Sequence, residues 1–96
     1  MNRNIDRIKA IEELSELVKN LDTTAEISNF FKELLTESEL DTLSKRWRIL
    51  TMLKDGYTQR EIAKELQVSL CKVTRGAKIV KDKKTILSKY LIKENN

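Results

Sequence analysis

Three times in this chain a threonine is followed, three residues on, by a glutamate that opens an apolar run at helical spacing: Thr23 with Glu26, Thr36 with Glu39, and Thr58 with Glu61. In such a capping box the hydroxyl accepts from an unpaired N–H of the first turn, and the carboxylate reaches back to another. Each pair therefore marks where a helix must begin. The run after Thr23 carries Ile27, Phe30, Phe31 and Leu34, which holds both phenylalanines of the protein and reads as core. The run after Thr36 carries Leu40, Leu43, Trp47, Leu50 and Leu53. Ile49 and Met52 widen that stripe, which predicts burial on more than one side. Asp55-Gly56 ends it, with glycine supplying a left-handed cap.

Two further helices are read from periodicity alone. Ile5, Ile8, Ile11, Leu14, Leu17, Val18 and Leu21 recur every three to four residues and predict a helix from about Asn4 to Leu21. Ile86, Leu87, Tyr90 and Leu91 predict a last helix from about Thr85 to Lys93. Proline is absent, glycine occurs twice, and hydrophobic and charged residues make up 40% and 35%. Such a chain is all-α, here with about six helices. Its 96 residues form a single domain, divided into a helical core over 1–55, a head over 56–81 and a C-terminal helix over 82–96. The first stripe is long for so small a chain and needs a partner surface, either the rest of the domain or a second subunit.

The third capping box opens the segment TQREIAKELQVSLCKVTRGAK, Thr58 to Lys78, which reads as a helix-turn-helix. Ile62, Ala63 and Leu66 share one face of a short helix, and Ala63 is small enough to let a second helix approach. Val68 plugs the turn and Ser69 is a good N-cap for the next helix. Leu70, Val73 and Ala77 follow at helical spacing, while Lys72, Thr74, Arg75 and Lys78 offer donors. Gln67 stands where the turn calls for a left-handed backbone, at a cost of about 1 kcal/mol relative to glycine. A helix-turn-helix of this kind lays its second helix in the major groove of DNA. The bland alternative is an αα-hairpin with a basic, solvated face.

Composition narrows the function classes. One cysteine, Cys71, and no histidine exclude an intrachain disulfide, a Cys/His zinc cluster and histidine-dependent nucleophilic machinery. The carboxylates sit in caps or on helix surfaces, and no phosphate-cradling glycine loop is present, so an enzyme is not expected. No metal or prosthetic group is implied. The polar opening MNRNIDRIK shows no secretory leader, no apolar run approaches membrane-spanning length, and a cytoplasmic setting without membrane contact follows. The net charge of +4 is segregated: residues 1–44 hold 5 Lys and Arg against 10 Asp and Glu, residues 45–96 hold 14 against 5. The basic half coincides with the helix-turn-helix, as expected of a phosphate-contacting face, and leaves the acidic half to solvent or a partner subunit.

Residues Leu35 to about Lys81 resemble the Trp repressor family. The landmarks are Leu35-Thr36, LSKRWRI from Leu43 to Ile49, TQREI from Thr58, and VTRG from Val73 to Gly76. The Phe30-Phe31 pair and the tight Gly56-Tyr57-Thr58 connection are closer to the Trp-repressor-related regulators of Gram-positive bacteria; in Trp repressors the loop before the helix-turn-helix is one residue longer. The resemblance implies an intertwined, all-helical homodimer, a transcriptional repressor of an operon for tryptophan or related metabolism, with two heads on operator DNA and L-tryptophan as corepressor. It assigns the indole to a sandwich between Arg46 and Arg75, with Thr36 near the polar end of the ligand and Gly76 giving it room. Guanidinium planes on an indole are sound partners. The family's serine for the ligand amino group aligns with Ile79, which has no such group to offer. Each assignment has a plainer counterpart: Thr36 as an N-cap, Arg75 as a phosphate contact, Arg46 paired with an acidic neighbour.

For DNA, Arg60 is placed to reach a guanine edge and Gln59 a phosphate. Leu70, Cys71 and Lys72 open the second helix after Ser69 and are expected at the bases, Leu70 or Cys71 against a thymine methyl and Lys72 on guanine. Lys64, Thr74, Arg75, Lys78 and Lys81 are the phosphate candidates. Family members have small or hydroxylated residues where Cys71 and Lys72 stand, so a different operator preference is expected. Two other readings fit the same residues: a ligand-independent DNA-binding regulator of this fold, and a helical protein-interaction module with no DNA role.

Overall fold

The computed structural model describes residues 3–94. They form six helices: α1 Arg3–Lys19, α2 Thr24–Leu34, α3 Glu37–Lys54, α4 Gln59–Leu66, α5 Leu70–Lys81 and α6 Ile86–Glu94. No strand occurs among the described residues. All three threonines cap helices where the spacing puts them, and two of them complete the capping box. Thr58 Oγ1 accepts from Glu61 N at 3.1 Å and Thr58 N donates to Glu61 Oε1 at 2.9 Å. The same exchange joins Thr36 and Glu39, at 3.1 and 2.9 Å. At Thr23 the hydroxyl accepts from Glu26 N, but the returning carboxylate takes the N–H of Asp22 instead. Helix α1 stops at Lys19, two residues short of the expected end, and Asn20 Nδ2 donates to the carbonyl of Glu16 in its last turn.

The chain divides into two compact units, residues 1–40 and 41–96, with the division inside α3. In the first unit no described side chain is fully buried. Leu14, Val18, Leu21, Ile27 and Phe30 are half-covered, while Ile8, Ile11 and Leu34 are more than half exposed. Phe30 and Phe31 pack their rings at 5.6 Å and 57°. The side chain of Ile5, also assigned to this stripe, lies outside the described residues.

The second unit has a closed core. Ile49 of α3, Ile62 of α4 and Val73 of α5 are buried together, with Met52, Leu53, Ala63, Leu66 and Val68 packed around them. Ile49, read from the sequence as a widening of the stripe, is 3% exposed, whereas Trp47 and Leu43 of the stripe itself are 38% and 42% exposed. At the far end, Ser88 is fully buried and donates to the carbonyl of Val80 at 2.8 Å. Thr85 Oγ1 donates toward the carbonyl of Ile79 and accepts from Ser88 N. These bonds occupy carbonyls that the end of α5 would otherwise leave open. The sequence expected Ile86, Leu87, Tyr90 and Leu91 to pack. Leu91 does, but Ile86 is 84% exposed, and the inward face of α6 is completed by Ser88. A buried serine is invisible to an apolar periodicity, and Ile86 falls on the opposite side of the helix from Ser88.

Two tight caps lie on either side of α4. Gly56 takes φ +95°, Tyr57 N donates to Met52 O, and Gly56 N donates to Leu53 O. The same pair of bonds ends α4, where Val68 N donates to Ala63 O and Gln67 N to Lys64 O. Both are Schellman closures. In the second the left-handed residue is Gln67, φ 54° and ψ 49°, as the sequence required. Nothing in the structure explains why glutamine occupies it.

Candidate nucleic-acid interface and ligand cavity

Helix α5 is the organising element, and it has three strips. Val73, Gly76 and Ala77 are buried against the core. Lys72, Arg75, Gly76 and Ile79 line a cavity of about 330 Å³ whose other walls are Leu43, Arg46, Trp47, Ile49 and Leu50 of α3 and Leu87 of α6. The third strip, Leu70, Cys71, Thr74, Lys78 and Lys81, is exposed. The division follows from 3.6 residues per turn: positions spaced three or four apart share a strip, and positions two apart lie on opposite sides.

Most of the residues expected at DNA lie on or beside this outer strip. Ser69 caps α5, its Oγ accepting from Lys72 N at 3.3 Å. Thr74 Oγ1 donates to Gln59 Oε1 at 2.9 Å and also approaches the carbonyl of Leu70. The two phosphate candidates Gln59 and Thr74 are thus joined, and the bond ties α4 to α5 outside the core while leaving the Gln59 amide N–H groups available. Arg60 and Lys64 are exposed on α4, and Leu70 is 46% exposed at the start of α5. Lys72 is the exception. It is exposed but lines the cavity, on the far side of the helix from Leu70 and Thr74.

The cavity brings together Arg46, Arg75 and Gly76, which sequence reasoning grouped on the resemblance, and adds Ile79 to the same wall. No ion pair joins Arg46 or Arg75 to a carboxylate among the described residues; the acid-base pair on this part of α3 is Lys45–Asp41, at 3.3 Å. Thr36 lies in the first unit, where its hydroxyl is engaged in capping α3. Trp47, a cavity residue, packs against Tyr90 with ring centroids 6.2 Å apart and 58° between planes. Sequence reasoning took Leu43, Trp47 and Leu87 for core and did not place them at this cavity. The signal was present: Lys72, Arg75, Gly76 and Ile79 recur at intervals of three, one and three, as do Leu43, Arg46, Trp47 and Leu50.

Gly76 has a second reason to be glycine. A Cβ there would lie 2.6 Å from Ile49 Cγ2, a methyl on a stiff β-branched carbon. Its lack of a side chain lets α5 close on α3, in addition to opening space at the cavity wall.

The family model described as Trp repressor protein matches residues 9–95. The chain belongs to the Trp repressor family. Among curated Trp repressor relatives, a Trp operon repressor homolog of Xylella fastidiosa strain M23 is 35% identical over 79 residues, covering 81% of this chain and 86% of that protein. A Trp operon repressor homolog of Chlamydia caviae is 34% identical over 67 residues, 69% of this chain and 66% of that protein. No solved structure matches the chain significantly. Membership makes the protein a transcription regulator of the Trp repressor type, in a family of regulators rather than enzymes. No helix among the described residues is long and apolar enough to cross a membrane.

Proposed function

We propose that the protein is a sequence-specific DNA-binding repressor that acts as a homodimer, with the outer strip of α5 in the major groove and a tryptophan-type small molecule in the cavity as corepressor. The observation that carries the DNA reading is the division of α5. Two of its strips are committed to core and cavity, and the third is exposed and cation-bearing, tied through Thr74 to Gln59 of α4, where Arg60 and Lys64 are also exposed. In this reading Leu70 and Cys71 meet bases, Arg60 reaches a guanine edge, and Gln59, Lys64, Thr74, Lys78 and Lys81 hold phosphates, with Ser69 fixing the start of α5. The relatives are Trp operon repressor homologs, which supports an operon of tryptophan or related metabolism as the target.

Homodimerisation is supported by the first unit, where no described apolar side chain of α1 or α2 is fully buried and Ile8, Ile11 and Leu34 are more than half exposed. The corepressor reading is supported by Arg46 and Arg75 lining one cavity of ligand size, at the small end of the range that starts near roughly 300 Å³. Arg75 lies between the cavity strip and the outer strip, so an occupant of the cavity bears on the orientation of a DNA-side cation. A binding selection from genomic fragments, with and without L-tryptophan, tests both parts. Enrichment of one operator class, strengthened by ligand, is expected. No enrichment rejects specific DNA binding, and enrichment indifferent to ligand favours a ligand-independent regulator of the same fold.

A further inference from the structure

The connection between α5 and α6 is short, hydrogen-bonded and cationic. Asp82 to Thr85 form a turn closed by Thr85 N, which donates to Asp82 O at 3.0 Å, and Lys84 N donates to Asp82 Oδ1 at 3.0 Å. Thr85 Oγ1 lies 3.0 Å from the carbonyls of both Ile79 and Asp82, and the buried Ser88 hydroxyl ties α6 to Val80. None of these bonds uses a lysine side chain. Lys83 and Lys84 occupy the two central positions of the turn, both are exposed, and neither forms an ion pair among the described residues. With Lys78 and Lys81 they make four cations within seven residues, against one acid, Asp82. Complementing the α5 dipole accounts for Lys78 and Lys81, which stand in its last turn, but not for the pair beyond it.

We infer that this turn is a second DNA-backbone contact, in which Lys83 and Lys84 engage phosphates beyond those beside the bases read by the start of α5. The inference rests on the DNA reading above and extends it to a surface outside the helix-turn-helix. Helix α5 has 12 residues, about 18 Å at 1.5 Å each, which exceeds the roughly 12 Å width of a major groove. With its first residues at the bases, its far end and the turn after it stand at the groove wall, where the phosphates lie. A backbone already held by these hydrogen bonds loses little further freedom when its lysines bind, so the contact adds charge neutralisation without ordering a loop. Phosphate contacts carry no base information, so the pair raises affinity for all sequences alike. Asp82 opposes them with its charge while its Oδ1 holds the turn in shape.

Fluorescence anisotropy of the full chain on two duplexes, one recovered by the genomic-fragment selection and one of the same composition in scrambled order, reads the contact as a salt dependence. K83Q/K84Q is expected to reduce the slope of log affinity against log salt by about two for each head engaged, on both duplexes. Between about 50 and 200 mM salt its affinity should therefore fall about tenfold less, per head, than that of the parent chain. K83R/K84R is expected to keep the parent slope. D82N, whose amide oxygen can still accept from Lys84 N, is expected to bind at least about twofold more tightly than the parent at low salt. K9Q/K19Q removes the same charge from α1 of the first unit and is expected to leave the slope unchanged. An unchanged slope in K83Q/K84Q, or one lowered equally by K9Q/K19Q, overturns the inference and leaves the DNA reading standing. An altered base preference in K83Q/K84Q, read by competition on randomised sites, also overturns it. A parent chain that binds neither duplex takes both down together. The bonds of the turn come from Asp82, Thr85 and Ser88, so K83Q/K84Q is expected to melt within about 4 °C of the parent. K83Q and K84Q singly, each with half the slope change, carry the same test where the pair does not fold.

Discussion

At the scale of single residues, Gly76 makes the sharpest case. Replacing a mid-helix glycine by alanine usually stabilises, by roughly 0.5–1 kcal/mol. Here the new Cβ would meet Ile49 Cγ2 at 2.6 Å inside a closed core. G76A is therefore expected to destabilise by about 1–3 kcal/mol, the cost of overpacking. I49L, which removes the β-methyl, is expected to recover part of that loss when combined with it. Urea midpoints of the two single variants and the double variant give the coupling, and strict additivity would show that the two residues do not contend for the same space. The sequence carried the glycine and the isoleucine but not their encounter, because 27 positions separate them and only the packing of α5 on α3 brings them together. Gln67 is the opposite case. Its left-handed backbone was legible from the turn pattern alone, since helix end, plug residue and N-cap are all local. Q67G is expected to raise stability by up to about 1 kcal/mol, read from the same denaturation curves.

Secondary-structure elements carry the acid response. The carboxyls of Glu39 and Glu61 are held below the ordinary glutamate range, first by the backbone N–H of Thr36 and Thr58, then by the threonine hydroxyls. A carboxylate stabilised in the folded state contributes fully above its unfolded value of about 4.3 and loses that contribution as pH falls through the lowered folded value. Starts of α3 and α4 are thus expected to weaken on the acid side and to be indifferent to pH above about 6. E61Q keeps a side chain able to bond the Thr58 N–H but cannot titrate, so its stability should depend less on pH between about 5 and 3 than that of the parent chain. An unchanged slope would assign the acid response to other groups. Element boundaries were read well wherever a box or cap marked them, as at Thr36, Thr58 and Gly56. They were read less well where only periodicity spoke. The stripe through Leu43 and Trp47 is regular but borders a cavity, while Ile49 beside it is the true core residue. Periodicity locates an apolar face and does not tell a filled contact from an empty one. Ser88 shows the complementary limit, since a buried hydroxyl matched to the Val80 carbonyl leaves no apolar mark. S88A is expected to cost about 1–3 kcal/mol by leaving that carbonyl unpaired, measurable by thermal unfolding.

On the scale of the whole molecule, charge and exposed apolar area predict how it associates. Fourteen of the nineteen lysines and arginines follow residue 44, and the exposed strip of α5 carries two of them, Lys78 and Lys81. K78A is expected to weaken binding to all DNA sequences alike and to reduce the slope of log affinity against log salt by about one. Substitutions at Leu70 or Cys71 should instead alter base preference and leave the slope unchanged. Competition binding on randomised sites at several salt concentrations separates the two. In the first unit, I11E places a charge on a face that the chain itself does not bury. It is expected to shift sedimentation equilibrium toward monomer and to abolish tight operator binding, with α4–α6 still folded. A variant that remains dimeric would move the interface elsewhere.

The three strips of α5 also bear on how such a protein can diversify. Under the proposed function, Leu70 and Cys71 can drift toward a new operator without touching the cavity, and Lys72 and Ile79 toward a new effector without touching the outer strip. Arg75 stands at the border of both sets. A lineage can therefore exchange its address and its signal along separate mutational paths, so long as neither path crosses that one arginine.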